Sequence, residues 1–283
     1  MLKQRVITAL IMLSIVISTL LYPSPWPFCL LALLFIAAGA WEWARLNGMK
    51  SSGAILLAGQ FVLLCALSWY LGLIEKQLTM LWILASGTWV LVSAWLLKSG
   101  AAGWTRIPAG LRRAGGVVVL WLAWLALSQA RTMGVNFLLS VMALVWAADI
   151  FAYFAGRTWG GKFSANKLAP TISPGKSWEG VWGGAVGVFV LAMSWVWADS
   201  HWQNSVSSLY TRLQSQNVLL LVVALLFLTT MSVVGDLIES LIKRSAGAKD
   251  SSALLPGHGG VLDRIDALLP TLPIAMMLTS LLT

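Results

Sequence analysis

The residues best suited to chemistry are acidic side chains that cluster in the C-terminal half of the chain. Seven of the 10 aspartates and glutamates group there, apart from Asp199, which is predicted at the opposite membrane face: Asp149, Glu179, Asp236, Glu239, Asp250, Asp263 and Asp266. Most stand at or near the ends of long apolar runs. A carboxylate at membrane depth costs about 2.5–3.5 kcal/mol and needs a partner, a cation or water. The grouping therefore predicts a polar site.

The segment 235–266 holds the densest set of these residues. On a helix, the spacing i, i+3, i+4, i+7 places four polar side chains on one stripe: Asp236, Glu239, Ser240 and Lys243. Asp263 and Asp266 share a face at the next helix start, and Gly259 and Gly260 permit a close backbone approach. Carboxylates on two helix ends suit Mg²⁺ that bridges to substrate phosphates. Four basic residues would neutralise the phosphate charge: Lys243, Arg244, Lys249 and Arg264.

Each of these residues also has a structural interpretation. Asp263 and Asp266 would be favourable at a helix N-terminus without any ligand. A lone histidine in a glycine-rich turn, here His258, is commonly structural, and Lys243 with Arg244 could be an ordinary basic stop at a membrane surface. Their grouping in one short segment favours a site.

A second candidate segment begins at Asp149 and ends before Gly180. Arg157 follows Asp149 by eight residues, about 12 Å along a helix, so the carboxylate could lie in a cavity with the cation at its mouth. Hydroxyl, lysine and backbone N–H groups ahead of a helix start suit a polyphosphate; the side chains concerned are Ser173, Lys176 and Ser177. A nucleotide-binding P-loop is not expected, because Pro170 stands where the motif requires a glycine.

Composition indicates that a membrane protein positions these segments. The chain has 283 residues, of which 59% are hydrophobic and 10% charged, whereas soluble domains carry about 25% charged residues. Apolar runs of roughly 20 residues, enough to cross a hydrocarbon core of about 30 Å, recur throughout. We predict an all-α, polytopic membrane protein with about nine transmembrane helices: 6–22, 26–44, 53–72, 78–97, 115–130, 135–156, 180–198, 218–239 and 264–282.

Basic residues predict the orientation of these spans. Sixteen of the 19 lysines and arginines fall on one side of the nine-span arrangement, and only Lys76, Arg131 and Arg212 fall on the other. The positive-inside rule makes the basic side cytoplasmic and places the N-terminus there. Because topology accounts for most of the formal charge of +9, we expect no nucleic-acid partner.

The chain is expected to divide into two regions. Residues 1–134 would form transmembrane scaffold helices, and residues 135–283 a transmembrane catalytic region with cytoplasmic loops at 157–179 and 240–263. Cys29 and Cys65 lie inside apolar runs and are expected to be packing residues. Two histidines without a Cys/His cluster make a zinc site improbable.

At its candidate site residues the chain resembles a known family. The pattern Ser240-x-x-Lys243-Arg244-x4-Lys249-Asp250, followed by Pro256-x-His258-Gly259-Gly260-x-x-Asp263-Arg264-x-Asp266, is similar to the signature of phosphatidate cytidylyltransferases. The similarity extends to Gly235-Asp236-x-x-Glu239-Ser240, to Asp149 with Tyr153 and Gly156, and to Ser173-Pro-Gly-Lys176. It is strong from about residue 145 onward and weak in the first five spans. Ser177 stands where the family pattern has threonine, which keeps the hydroxyl group.

The resemblance implies Mg²⁺-dependent transfer from CTP to phosphatidic acid, by a homodimer in contact with membrane lipids of the bacterial cytoplasmic (inner) membrane. The active site would face the cytoplasm, and a second, monovalent cation stays open. Carried over by position, the metal ligands are Asp236 and Asp263, with Asp149 and Asp266 as helpers. The catalytic set is Asp236, Asp263, Lys243, Arg244, Lys249 and Asp266. The substrate-binding set is Lys176, Ser173, Ser177, Arg264, His258, Gly259 and Gly260.

Three other functions compete with this interpretation. A secondary transporter would use buried carboxylates for protons or cations, but broken helices in paired halves are not evident. A CDP-alcohol phosphotransferase also uses carboxylates and Mg²⁺, but its motif continues with a glycine and further aspartates. Here Asp266 is followed by Ala267, and no acidic residue comes later. A lipid kinase would be separated by its nucleotide specificity.

Overall fold

The computed structural model of the protein describes residues 2–164, 166–202 and 205–282. Within these ranges the regular structure is helical, apart from two isolated β-bridges. The helices are α1 (Leu2–Leu21), α2 (Trp26–Leu46), α3 (Ser51–Tyr70), α4 (Thr79–Arg106), α5 (Ala109–Met133), α6 (Val135–Trp159), α7 (Trp178–Trp202), α8 (Leu209–Gln216), α9 (Val218–Ser245), α10 (Leu262–Ile265) and α11 (Leu268–Ser280). The predicted all-α class is confirmed.

Seven of the described helices are long and apolar enough to cross a membrane, namely α2 to α7 and α9. The predicted polytopic architecture is therefore confirmed, but the count of nine is not. The apolar stretch described in α1 is Leu10–Leu21, which is shorter than a span. Helix α11 has 13 residues, a length of about 20 Å against a hydrocarbon core of about 30 Å.

The helix ends fall into two groups at opposite ends of the bundle, as an alternating up-and-down path requires. At one end, which we call the site end, α2 finishes beside the start of α5: the Trp43 Nε1–H donates to the carbonyl of Arg112 at 3.0 Å. At the opposite end, the Arg131 guanidinium of α5 donates to the carbonyl of Tyr22 after α1 at 2.6 Å. The three basic residues predicted for the opposite side thus include one that contributes to the packing there.

Helices α6 and α7 pack closely because α7 presents a face of small residues. A β-carbon at Gly183 would lie 2.1 Å from the β-carbon of Ala155, and one at Gly184 would lie 2.9 Å from the carbonyl oxygen of Ala148. Glycines recur here three and four residues apart, at Gly180, Gly183, Gly184 and Gly187. This spacing allows such a close approach of two helix backbones. The contact holds Asp149, on α6, against the N-terminal end of α7.

A break between α10 and α11 places Asp266 beside α9. Pro270 has no N–H group, so the carbonyl of Asp266 accepts instead from the N–H of Leu269 at 3.3 Å, in a tighter turn. Gly235 of α9 lies directly against this break, because a β-carbon there would be 2.5 Å from the Asp266 oxygen. The predicted ninth span is thus two helical pieces, and its break lies next to Asp236.

Candidate active site

A polar pocket of about 410 Å³ lies at the site end between α6, α7 and α9. Its wall includes Asp149, Lys176, Ser177 and Asp236. The Lys176 ammonium lies 2.6 Å from a carboxylate oxygen of Asp236. Asp149 and Asp266 are close enough for their charges to interact with that pair. The fold therefore brings both predicted segments together in one pocket.

A second cluster surrounds Lys243, about two turns of α9 beyond Asp236. Its ammonium lies 2.5 Å from Glu239 and 2.5 Å from Asp263. The predicted stripe on α9 is confirmed as helical, since the helix continues to Ser245, past the start of the predicted loop 240–263. The two predicted metal ligands therefore belong to different ion pairs. Asp236 pairs with Lys176, and Asp263 pairs with Lys243.

Asp263 holds the long loop before α10 in place. One oxygen accepts from the N–H of Gly260 at 2.8 Å and from the N–H and hydroxyl of Ser251, both at 2.9 Å. Burial acts to raise the pKa of the Asp263 carboxyl, but hydrogen bonds from Lys243, Gly260 and Ser251 outweigh it and lower the pKa from 3.8 to about 2. The group is therefore ionised at neutral pH, and its stabilising contribution is lost only as the pH falls below 3.8 and through about 2.

Glu42 is a site-end residue whose role the sequence reasoning missed. It lies on α2, is fully buried, and accepts four hydrogen bonds from the loop and the start of α10. The donors are the hydroxyls of Ser251 (3.1 Å) and Ser252 (2.5 Å) and the backbone N–H groups of Val261 (2.9 Å) and Leu262 (2.8 Å). An acidic residue inside an apolar run was the available signal.

The glycines before Asp263 allow the close approach that their sequence predicts. A β-carbon at Gly260 would lie 1.9 Å from the Ser251 hydroxyl and 2.6 Å from a Glu42 oxygen. Gly259 has a φ of +84°, which side-chain-bearing residues rarely adopt. The groups that approach Gly260 in this structure are side chains of the protein, those of Ser251 and Glu42.

The remaining predicted residues lie around the two clusters. The Arg264 guanidinium donates to the His258 carbonyl at 2.7 and 3.1 Å. Arg244 and Lys249 are exposed. The Ser177 hydroxyl accepts from the N–H of Gly180 at the start of α7. Ser173 lies in the tight turn before it, where its carbonyl accepts from the N–H of Lys176.

Five of the seven C-terminal carboxylates belong to these clusters, and two do not. Glu179 accepts from the backbone N–H groups of Phe163 (3.0 Å) and Ser164 (2.8 Å). It therefore orders the loop after α6. Asp250 is exposed. The expectation of one sevenfold cluster was too broad, because sequence position does not separate a loop-ordering carboxylate from one that lines a pocket.

The two clusters carry an excess of negative charge. The carboxylates are Asp149, Asp236, Glu239, Asp263 and Asp266, and the cations among them are Lys176, Lys243 and Arg157, the last of which lines the polar pocket. In the part of the chain that the structure describes, no three His, Cys, Asp or Glu side chains form a ready-made metal site. The arrangement therefore offers carboxylates singly or in pairs, next to lysines that can bind phosphate.

Comparison with known proteins gives the family. The model of the cytidylyltransferase family matches residues 3–282. The chain belongs to this family. The match includes the first five spans, where the family motifs are weak, so the N-terminal half is part of the family fold.

Three similar proteins come from bacteria. A phosphatidate cytidylyltransferase of Pseudomonas aeruginosa is 37% identical over 97% of this chain and 95% of its own length. The protein of the same name from Haemophilus influenzae is 34% identical over 96% of each chain. That of Brucella abortus is 35% identical over 94% of this chain and 89% of its own.

Proposed function

We propose that the chain transfers the cytidylyl group of CTP to phosphatidic acid, forming CDP-diacylglycerol and pyrophosphate. The observation that carries the proposal is the family match across residues 3–282, supported by relatives named phosphatidate cytidylyltransferase that align over nearly their whole length. The geometry agrees with the proposal, since the two segments predicted to bind phosphate, 149–180 and 235–266, meet at the site end of a membrane-spanning bundle.

The reaction needs positioning and charge neutralisation more than a specialised nucleophile. A phosphate oxygen of phosphatidic acid attacks the α-phosphorus of CTP, the bond from that phosphorus to the bridging oxygen breaks, and pyrophosphate leaves with the electron pair. The attacking phosphate is already anionic, so no serine–histidine pair is required. Lys176 and Lys243 offer cations for phosphate oxygens, and Asp236 and Glu239 fix where those cations lie. Preorganised charge of this kind dominates such transfers.

The donor set fits Mg²⁺, which the family resemblance implies. Mg²⁺ is usually held by one or two carboxylates together with phosphates and water, and the clusters have more carboxylates than lysines. Asp236 and Asp149 in the polar pocket and Asp263 on α10 would hold it, with Asp266 between the clusters. When bound, the ion withdraws electrons from phosphate oxygens and offsets the charge of the departing pyrophosphate. The excess of carboxylates over lysines would also favour binding of a monovalent cation.

The location and assembly of the protein are further parts of the proposal. The basic residues at the site end favour a cytoplasmic orientation, which would give CTP access to the polar pocket from water. Bacterial relatives favour the cytoplasmic, or inner, membrane. The homodimer rests on the family resemblance.

Pyrophosphate release by detergent-purified protein tests the proposal. Release is expected only when phosphatidic acid, CTP and Mg²⁺ are all present, and ATP should not replace CTP. Asp236→Asn should reduce release by roughly a hundredfold or more, because it removes a charge that both positions Lys176 and could hold the metal. Glu75→Gln, at an exposed residue on the opposite end, is the control and should release pyrophosphate normally. Lipid-independent release, or none from folded protein, would contradict the proposal.

A further inference from the structure

A large apolar groove lies beside the candidate site, on the other side of α9. It has a volume of about 490 Å³ and is bounded by α2, α4, α5 and α9. The groove exists because α4 and α5, although consecutive, share only α11 as a main packing partner: α4 otherwise packs on α9, and α5 on α2 and α6. Its volume is in the range of about 300–1,000 Å³ that ligand pockets occupy.

The rim of the groove faces the bilayer. Leu84 and Val92 of α4, and Leu111 and Val118 of α5, line the groove and are also exposed on the outer surface. Because the wall is almost entirely apolar and the opening faces hydrocarbon, an acyl chain fills this space better than water does.

The groove is continuous with the candidate site. Ile238, Glu239 and Ile242 of α9 line it, and Leu262 of α10 closes the same end. Glu239 is also an ion partner of Lys243, so one residue belongs both to the groove wall and to a charged cluster. A lipid in the groove would therefore have its head group at the lysine and carboxylate clusters.

A cation at the site end of the groove fits a phospholipid head group. Arg112 lines the groove, its guanidinium lies 5.9 Å from the centre of the Trp104 ring, and its buried Nε has no hydrogen-bond partner. A buried guanidinium donor is costly to leave unpaired. An anionic phosphate at this end would supply the missing acceptor.

We propose that this groove binds an acyl chain of the lipid substrate and that its far part, at Ala85 of α4 and Leu122 of α5, limits the chain length. The inference rests on the proposed function. Ala85 precedes Leu96 by eleven residues on α4, about 16 Å. That distance is half of a hydrocarbon core of about 30 Å. An acyl chain that starts at the site end and is long enough to span one leaflet therefore reaches Ala85, whereas an acyl chain of half that length does not.

The test compares two lipid substrates in a variant that fills the far part of the groove. Ala85→Phe should lower kcat/KM for dioleoyl phosphatidic acid by about tenfold or more, since even one displaced methylene in an apolar pocket is worth about tenfold. The value for dioctanoyl phosphatidic acid should stay close to wild type. Ala66→Phe, at an exposed position of α3 outside the groove, is the matched control and should change neither value. Leu122→Phe, from the opposite wall and ten residues from Arg112, should repeat the result if Ala85→Phe does not fold.

Equilibrium binding of both lipids to nucleotide-free protein separates this inference from the proposed function. Loss of dioleoyl but not dioctanoyl binding in the filled variants supports the groove, even if wild-type protein forms no product and the proposed function fails. An unchanged ratio of the two lipids in active variants overturns the inference. A change in oligomeric state at an unchanged ratio also overturns it, because the groove would then be an interface between two copies or a site for structural lipid.

Discussion

At the scale of single residues, the candidate site consists of lysines held between carboxylates. Lys243 contacts Glu239 and Asp263 at once, and its surroundings are largely buried. Removing one partner of a buried ion pair typically costs about 3–5 kcal/mol, because the remaining charge is left without compensation. The charged clusters therefore depend on residues that fix their position, and Glu42 is the most buried of these.

Glu42→Gln should weaken the loop that precedes Asp263. The carboxylate accepts on both oxygens, whereas the glutamine amide would turn an NH₂ group toward a backbone N–H such as that of Leu262. Losing a hydrogen bond to a charged group costs about 1.5–3 kcal/mol. A small displacement of catalytic groups can lower turnover about a hundredfold. We expect kcat to fall at least tenfold while the protein stays folded.

Limited proteolysis gives an independent readout for Glu42→Gln. Trypsin cleavage after Lys249, which is exposed in the loop, should become faster in the variant if the loop is released. Glu75→Gln should match wild type in both kcat and cleavage rate. Wild-type kcat and cleavage in Glu42→Gln would show that Glu42 does not position the loop.

At the scale of elements, the contact between α6 and α7 brings the first candidate segment to the second. The glycine face of α7 allows α6 to approach so closely that Asp149 and Lys176 line the same pocket. A glycine spacing of three and four residues is visible in the sequence, and it indicates a tight helix pair without revealing its partner. The break at Asp266 was less visible, although Pro270 is its physical cause.

Gly184→Leu should separate α6 from α7. A β-carbon there already lies 2.9 Å from a backbone oxygen, which cannot move like a side chain. Overpacking of this kind costs about 1–3 kcal/mol. We expect a lower thermal midpoint and a loss of at least tenfold in turnover, because Asp149 moves away from Lys176.

The matched control for this helix contact is Gly59→Leu on α3. Nothing lies within 4 Å of a β-carbon at that position, so the thermal midpoint and turnover should both stay near wild type. Gly184→Leu protein with a wild-type midpoint and turnover would show that the close contact is not needed.

At the scale of the whole molecule, the sequence predicts the membrane class, the alternating path and the two candidate segments. The lengths of the apolar runs and the motif from Ser240 to Asp266 are local signals. The structure has long apolar helices, and the motif begins on the helix α9. What could not be predicted is long-range. Glu42 accepts a hydrogen bond from Ser251, which lies 209 residues later in the sequence. The groove between α4 and α5 depends on which other helices each of them packs against. Glu42 of the N-terminal half thus contacts the candidate site, while the division into residues 1–134 and 135–283 stays a prediction.

The central claim is that the cytidylyl group, and not a terminal phosphoryl group, is transferred to the lipid. The most direct measurement uses purified protein, phosphatidic acid and Mg²⁺ with CTP labelled on either its α- or its γ-phosphate. The α-label should appear in the lipid fraction and the γ-label in pyrophosphate, in equal amounts and only in protein that retains Asp236. A γ-label in the lipid would indicate a kinase, and an unlabelled lipid with either substrate would contradict the proposed function.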